Sequence, residues 1–195
     1  MSESATPTTS EARAVASLIL RRPPRLGAVR LVAVDGPSGS GKTTFAAGLA
    51  AHVAAMPEHP TVRVVSTDLL ATWDDPFGWW SVLDSCLLMP LAAGHPADLP
   101  FARWVQGRPE PGGTVRVPVV DVLVLEGVSS GRSAVRDRLS ALVWLEVPSR
   151  AERLERAVAR DGEESRPFLI RWQQDEEAHF AADRTADRAD VVVAG

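Results

Sequence analysis

The sequence predicts an α/β fold in which a parallel five-stranded sheet carries helices on both faces. Short apolar runs of strand length alternate along the chain with longer helix-forming segments, and this alternation is typical of a parallel sheet. A glycine-rich segment joins the first apolar run directly to a helix-forming stretch, as in the strand-to-helix turns of such sheets. With 195 residues, 45% of them hydrophobic, the chain is long enough for one domain with a full core.

Five apolar runs of four to six residues are the predicted strands. Their near-continuous hydrophobicity indicates strands that are buried on both faces of the sheet. These strands cover residues 31–35, 62–66, 121–125, 142–147 and 190–193.

Helix-forming segments separate the predicted strands. Ser149 and Glu152 form a capping box that begins one of them, and Pro167 suits the first turn of another. Helices are predicted over residues 11–20, 42–51, 77–91, 149–160 and 167–182. Residues 96–113 are rich in proline and glycine, which favours loops or a short hairpin there.

The most specific motif is the run from Gly36 to Thr43, which fits the phosphate-binding pattern G-x-x-x-x-G-K-[ST]. Lys42 within it is the only lysine of the chain. We expect its ammonium to reach the β- and γ-phosphates of a nucleotide, and the Thr43 hydroxyl to hold Mg²⁺. A glycine-rich turn without a ligand would not require every motif position to be filled. The expected nucleotide-binding residues are Gly36, Ser38, Gly39, Ser40, Gly41, Lys42, Thr43 and Thr44.

Two carboxylates follow predicted strands at the same edge of the sheet. Asp68 comes shortly after the second strand, where a carboxylate can accept the proton of an attacking hydroxyl. Glu126 ends the third strand, where it can hold Mg²⁺ directly or through a water. Asp68 would otherwise be a helix cap or a turn residue, and Glu126 a plain strand-end carboxylate.

Arginines cluster around a polar turn at residues 161–165. Arg153, Arg156 and Arg160 share one helical face, and Arg166 follows the turn. Such a cluster can act as a lid that stabilises a transferring phosphoryl group, and Arg160 and Arg166 are the expected catalytic members. The alternative is a solvated face with i,i+4 ion pairs such as Glu152 with Arg156.

Aromatic side chains concentrate in the irregular middle of the chain, between residues 72 and 113. Aromatic residues beside prolines and glycines often line ligand clefts, although a small satellite core would use the same residues. The chain contains no tyrosine, so stacking on a flat substrate must use Trp, Phe or Arg. The expected substrate contacts beyond Asp68 are Phe77, Trp80, Arg103 and Trp104, with Trp73 and Trp79 in the wider group.

The composition of the chain limits the classes of molecule that it is expected to bind. The net charge of −4 gives no basic field for nucleic acid, and no apolar run approaches the length of a membrane-spanning helix. The single cysteine cannot form an internal disulfide, and the four histidines share no transition-metal spacing. We therefore expect a cytoplasmic protein that acts on a small molecule, and the sequence leaves open whether it forms a homo-oligomer.

The chain resembles the uridine kinase branch of P-loop kinases, which includes phosphoribulokinase-like and pantothenate kinase-like enzymes. The resemblance rests on residues 35–44, 66–70 and 124–128 and on the arginine region 156–166. It implies a P-loop NTPase fold with a kinase-type lid, and transfer of phosphate from ATP·Mg²⁺ to a hydroxyl of a small-molecule acceptor such as uridine or cytidine. It also implies that Asp68 is the base.

The resemblance organises the chain into a tail with a short helix (1–27) and one kinase domain (28–195). Within that domain, residues 72–118 would be an insertion that binds the acceptor, and residues 156–167 the lid. The chain departs from the family at Leu69 and Leu70, where an aromatic residue is frequent, and in its short acidic lid.

Two other functions remain open on sequence grounds. A nucleoside monophosphate kinase, such as a (d)CMP kinase, needs arginines on the acceptor side, and Arg103 and Arg108 could serve, but Asp68 would repel an acceptor phosphate. A P-loop regulatory protein that binds ATP without fast phosphate transfer would keep Lys42 and Thr43 and would not need Asp68.

Overall fold

The computed structural model describes residues 9–105, 108–147 and 149–194. The strands are β1 (Arg30–Asp35), β2 (Val62–Ser66), β3 (Ala97–Val105), β4 (Arg108–Val117), β5 (Val122–Glu126), β6 (Leu139–Glu146) and β7 (Val191–Ala194). The α-helices are α1 (Thr9–Arg21), α2 (Lys42–Ala54), α3 (Trp80–Leu83), α4 (Met89–Ala92), α5 (Arg150–Asp161) and α6 (Arg166–Asp183). A π-helical segment, Asp84–Leu88, joins α3 to α4, and 3₁₀ turns lie at Thr67–Leu69, Ser133–Arg138, Glu163–Ser165 and Ala186–Arg188.

Five strands form one parallel sheet in the order β2-β5-β1-β6-β7, which confirms the predicted fold class. The predicted strand limits hold to within three residues. The largest difference is at β6, which begins at Leu139 instead of residue 142. Ser140 interrupts the apolar run there, and its hydroxyl donates to the carbonyl of Pro23 at 2.9 Å, so a polar residue is tolerated inside the strand.

Side chains of the central strands alternate between two cores, one on each face of the sheet. Val32 and Val34 of β1 pack in the core that α1 and α2 cover. Leu31 and Ala33 face the other core, to which the α3–α4 segment contributes four fully buried leucines. Helices therefore cover both faces, as the sequence predicts.

The segment predicted as loops or a short hairpin is a long antiparallel hairpin of β3 and β4. Its base belongs to the main core, because Ala97, Leu99 and Val117 are fully buried. Prolines occur along both strands, which a two-stranded ribbon tolerates because each strand has an unpaired edge. The same prolines and glycines are the reason why loops or a short hairpin were predicted for residues 96–113. Within the described residues, no helix is long and apolar enough to cross a membrane.

Candidate active site

The P-loop joins the end of β1 to the start of α2, and its backbone requires glycine at three positions. Gly36, Gly39 and Gly41 have φ values of 143°, 77° and 86°, in the region that side chains disfavour. A Cβ atom at Gly36 would lie 2.4 Å from the carbonyl oxygen of Leu145, and one at Gly39 would lie 2.4 Å from that of Arg153. The loop is therefore shaped by close backbone packing as well as by its turn.

Six of the eight expected nucleotide-binding residues line a large cavity: Ser38, Gly39, Gly41, Lys42, Thr43 and Thr44. Gly36 and Ser40 are buried behind it. The Lys42 side chain is 8% exposed, and its Nζ donates to the carbonyl of Pro37 at 2.8 Å. The ammonium is thus held against the loop, at the amino end of α2, where a helix favours anionic groups.

Glu126 and Thr43 lie side by side at the end of β5. The Thr43 hydroxyl donates to both carboxylate oxygens of Glu126 at 3.4 Å, and Glu126 is 2% exposed. Burial raises the pKa of Glu126, and the negative charge of Asp68 adds to the rise. A hydroxyl and a carboxylate are oxygen donors of the kind that Mg²⁺ prefers, so this pair fits the metal that the sequence predicts. Among the described residues, no group of three or more His, Cys, Asp or Glu side chains is placed to hold a metal ion.

Asp68 lies on the 3₁₀ turn that follows β2, exposed to the same cavity. The hydroxyl of Ser66 accepts the Asp68 N–H at 3.3 Å and caps that turn. Gly127, which follows β5, packs closely on Thr67, which follows β2. A Cβ atom at Gly127 would lie 2.0 Å from the hydroxyl oxygen of Thr67, so only glycine allows this approach. Packing of Gly127 on Thr67 therefore fixes Glu126 beside Asp68.

The cavity has a volume of about 820 Å³ and extends from the P-loop to an apolar wall. Trp73 and Trp172 of this wall meet edge to face, with ring centroids 5.8 Å apart. The volume lies within the range of small-molecule sites. We call this surface the tryptophan wall; it consists of Ala71, Trp73, Val128, Leu169 and Trp172.

Three of the expected substrate residues do not line the cavity. Phe77 stacks on the His179 ring with centroids 4.6 Å apart, and Trp80 packs against the core beneath the guanidinium of Arg138. Arg103 lies on the hairpin, exposed and paired with Glu110 at 3.5 Å. The side chain of Trp104 lies outside the described part of the structure. Phe77 and Trp80 therefore have packing roles, and Trp80 packs against the main core. Trp73 lines the cavity and also packs against a small separate cluster of Ala157, Val158 and Leu169.

The arginine cluster divides between the cavity and the protein surface. Arg156 and Arg160 line the cavity. The Nη1 atom of Arg156 donates to the Gly39 carbonyl at 3.4 Å, and Arg160 is exposed and pairs with Asp161. Arg153 is buried and donates to the carbonyl of Val147, which is a structural contact.

Arg166 does not reach the cavity. It is held by Glu155 and Glu163 through charge-assisted hydrogen bonds of 2.5–3.0 Å. The acidic lid residues that the sequence places beside it are its partners, which is the solvated-face alternative for this one arginine.

Sequence reasoning missed two buried carboxylates that shape the P-loop. Asp35 accepts backbone N–H groups from Gly36, Ser129 and Gly131 at 2.7–2.8 Å, and burial raises its pKa to about 6. Glu176 of α6 accepts the Ser38 N–H at 2.9 Å, and burial raises its pKa as well. A charged residue inside an apolar strand, or on the apolar face of a helix, is the signal that could have identified both.

Comparison with known proteins gives structural likeness without sequence likeness. No protein-family model matches the chain, and no curated protein matches it in sequence. A possible uridine kinase from Bacillus stearothermophilus is 21% identical with a TM-score of 0.69, over 94% of this chain and 97% of that one. A candidate fructose transport system kinase from Silicibacter sp. TM1040 is 20% identical with a TM-score of 0.69, over 93% and 98%.

A third solved structure is also similar to this chain, at a lower identity and TM-score. YFH7 from Saccharomyces cerevisiae, a candidate P-loop kinase with a circular permutation, is 12% identical with a TM-score of 0.57 over 96% of this chain and 98% of that one. The matches to these three structures cover 93–96% of this chain. The chain therefore has the fold of the uridine kinase-like P-loop kinases.

Proposed function

We propose that the chain is an ATP- and Mg²⁺-dependent kinase that transfers the γ-phosphoryl group to a hydroxyl of a small molecule, with a nucleoside such as uridine or cytidine as the first acceptor to test. The observation that carries the proposal is that phosphate-binding and acceptor-binding features share one cavity. Lys42, Thr43, Asp68 and the tryptophan wall all line this cavity.

Each residue has a role that its position supports. Backbone N–H groups of the P-loop and the Lys42 ammonium bind the β- and γ-phosphates. Thr43 and Glu126 would hold Mg²⁺, which would supply positive charge against the phosphate oxygens. Asp68 accepts the hydroxyl proton as the acceptor oxygen bonds to the γ-phosphorus and the bond to the β–γ bridging oxygen breaks, so that ADP leaves.

Two arginines on the cavity wall meet the charge that develops during transfer. Arg156 and Arg160 line the cavity from α5, and Arg156 lies against the P-loop at Gly39. Guanidinium groups aimed at a transferring phosphoryl group stabilise the transition state more than the ground state. Arg160 already carries an ion pair with Asp161, which orients it in the absence of a nucleotide.

The tryptophan wall and two carboxylates of the cavity favour an acceptor that is neutral and has a flat, apolar part. The tryptophan wall supplies two indole rings for stacking. The carboxylates of Asp68 and Glu126 repel an anionic acceptor, which argues against a nucleoside monophosphate. Arg103, an arginine that a monophosphate kinase would require, lies on the exposed hairpin and does not line the cavity.

The test combines an acceptor screen with a single substitution. ATP consumption is measured with uridine, cytidine, CMP and fructose, the last because a similar structure is described as a fructose transport system kinase. Single-turnover transfer to the best acceptor is then compared for wild type, Asp68→Asn and a matched control, Asp137→Asn, whose exposed carboxylate lies on the Ser133–Arg138 turn.

We expect Asp68→Asn to slow transfer by roughly 10²–10⁴-fold with ATP binding unchanged, the usual range for a lost general base. The control should transfer at the wild-type rate. A faster reaction with CMP in Asp68→Asn would indicate a monophosphate kinase instead. Full transfer by Asp68→Asn to a hydroxyl acceptor would refute the proposed mechanism. If none of the four acceptors causes ATP to be consumed, a regulatory ATP-binding protein is favoured instead.

A further inference from the structure

A second cavity, of about 470 Å³, contains four arginines. We call it the amino-edge cavity, because its four arginines come from segments that precede strands. It is lined by Arg22, Pro23, Arg25, Arg136, Leu139, Ser140, Leu142, Arg188 and Asp190.

The amino-edge cavity is separate from the P-loop cavity. Arg22 and Arg25 lie before β1, Arg136 lies before β6 and Arg188 lies before β7. The P-loop follows the other end of β1, and the strands are parallel, so the two cavities lie at opposite edges of the sheet. The six residues of β1 span about 20 Å at a rise of about 3.3 Å per residue. No residue lines both cavities.

Positive charge exceeds negative charge in the amino-edge cavity, although the whole chain has a net charge of −4. Arg22 pairs with Asp190 at 2.7 Å. Arg188 pairs with Asp183 at 2.8 Å, and Arg136 approaches the same Asp183 oxygen at 3.7 Å. Arg25 is exposed and forms no ion pair with any residue that the structure describes. Four guanidinium groups therefore share two carboxylates.

Two of the arginines that line this cavity have buried guanidinium nitrogen atoms without an acceptor. Arg136 Nε and Nη2 and Arg188 Nε are shielded from solvent, and none of them has a hydrogen-bond partner among the described residues. A donor that is removed from water without an acceptor is unfavourable, most of all when it belongs to a charged group. The side chains of Arg22, Arg136 and Arg188 are 30–34% exposed and Arg25 is exposed. An anion in the cavity therefore supplies acceptors to their accessible N–H groups and balances the excess positive charge.

We propose that the amino-edge cavity binds a small anionic molecule that carries at least two carboxylate or phosphate groups. Guanidinium forks recognise both groups through paired hydrogen bonds, and two such groups are needed to engage arginines that approach from three different segments. Pro23, Leu139 and Leu142 supply an apolar surface for the body of the ligand. The volume suits a small metabolite.

The test uses two probes, citrate for carboxylates and pyrophosphate for phosphates, each titrated calorimetrically at low salt without Mg²⁺. All proteins carry Lys42→Ala, which weakens binding of the probes at the P-loop. Arg25→Glu then reverses one charge at the amino-edge cavity. Arg63→Glu is the matched control, because Arg63 is exposed on β2 and also forms no ion pair with a described residue.

At least one probe should bind with 1:1 stoichiometry. We expect Arg25→Glu to weaken that binding by about tenfold or more, the loss typical of one charge-assisted contact, and Arg63→Glu to leave it within about twofold. Binding of citrate alone, pyrophosphate alone or both identifies the ligand group. Failure of both probes to bind, or equal weakening by the two substitutions, would overturn the proposal. Circular dichroism of each variant confirms that it is folded.

Discussion

Glu176 provides the sharpest test of how the P-loop is held in place. Its carboxylate is fully buried, accepts the Ser38 N–H at 2.9 Å through Oε2, and leaves Oε1 without a hydrogen-bond partner among the described residues. Burial is the main cause of its raised pKa, and the positive charges of Lys42 and Arg153 oppose that rise. Replacement by alanine removes the hydrogen bond, the charge and the packed stem, whereas replacement by glutamine removes only the charge.

We expect the two substitutions to change the free energy of unfolding by different amounts. Glu176→Ala loses a charge-assisted hydrogen bond worth about 1.5–3 kcal/mol and one buried methylene worth about 0.8 kcal/mol. Relief of the cost of burying the charge offsets part of this, so we expect a loss of about 1–3 kcal/mol in the free energy of unfolding. Glu176→Gln keeps the shape and an acceptor oxygen for Ser38, so its change should stay within about 1 kcal/mol.

The pH dependence of this difference has a definite sign. Because the folded pKa of Glu176 is raised above its ordinary value, the folded state retains the proton to a higher pH than the unfolded state does. The wild type therefore loses stability, relative to Glu176→Gln, as the pH rises from about 4.5 through the raised pKa. Below that window the glutamine variant has no such advantage.

Urea denaturation between pH 4 and 8 measures both effects. The matched control is Glu177→Ala, which removes an exposed neighbour paired with Arg150 and should cost less than about 1 kcal/mol. Nucleotide affinity, followed by tryptophan fluorescence, should fall for Glu176→Ala because the Ser38 N–H loses its anchor. A Glu176→Ala protein within 0.5 kcal/mol of wild type, or a Glu176→Gln protein as unstable as the alanine variant, would refute this account.

Three further predictions concern the proposed transfer reaction. Lys42→Ala should keep the wild-type melting temperature and lose about 10²–10³ in turnover; near-wild-type turnover would exclude the phosphate role. Glu126→Gln should raise the half-saturating Mg²⁺ concentration more than it weakens nucleotide binding, and an unchanged Mg²⁺ titration would remove Glu126 from the metal site. Arg160→Ala should lower the maximum rate with a smaller effect on ADP affinity. Arg166→Ala should change the rate less than about twofold, because the partners of Arg166 are surface carboxylates. Equal losses of rate in the two variants would contradict the placement of these two arginines.

Local patterns predicted the sheet well because its signals are strong and short-ranged. Continuous apolar runs identified all five parallel strands, and the P-loop motif fixed where β1 meets α2. The hairpin was harder, since its prolines and glycines have the composition of a loop. Its identity as paired strands depends on contacts between residues up to 20 positions apart, such as Ala97 with Val117, which no local pattern contains.

Side-chain direction explains which of the predicted site residues line the cavity. Residues at strand ends are placed by the sheet itself, so Asp68 and Glu126 line the cavity as their positions required. Aromatic residues of the irregular segment have no such constraint, and Trp73 faces the cavity while Phe77 and Trp80 pack inward. Trp172 completes the wall from α6, about 100 residues further along the chain. Only the folded arrangement brings it to Trp73.

Helices α5 and α6 both contact the apex of the P-loop. From α5, Arg156 donates to the Gly39 carbonyl. From α6, Glu176 accepts the Ser38 N–H, and one turn earlier on the same helix Trp172 forms part of the tryptophan wall. Four residues of helix span about 6 Å. One rigid element thus connects the surface proposed to bind the acceptor with the loop proposed to bind the phosphates, so a displacement of α6 that moves one must also move the other.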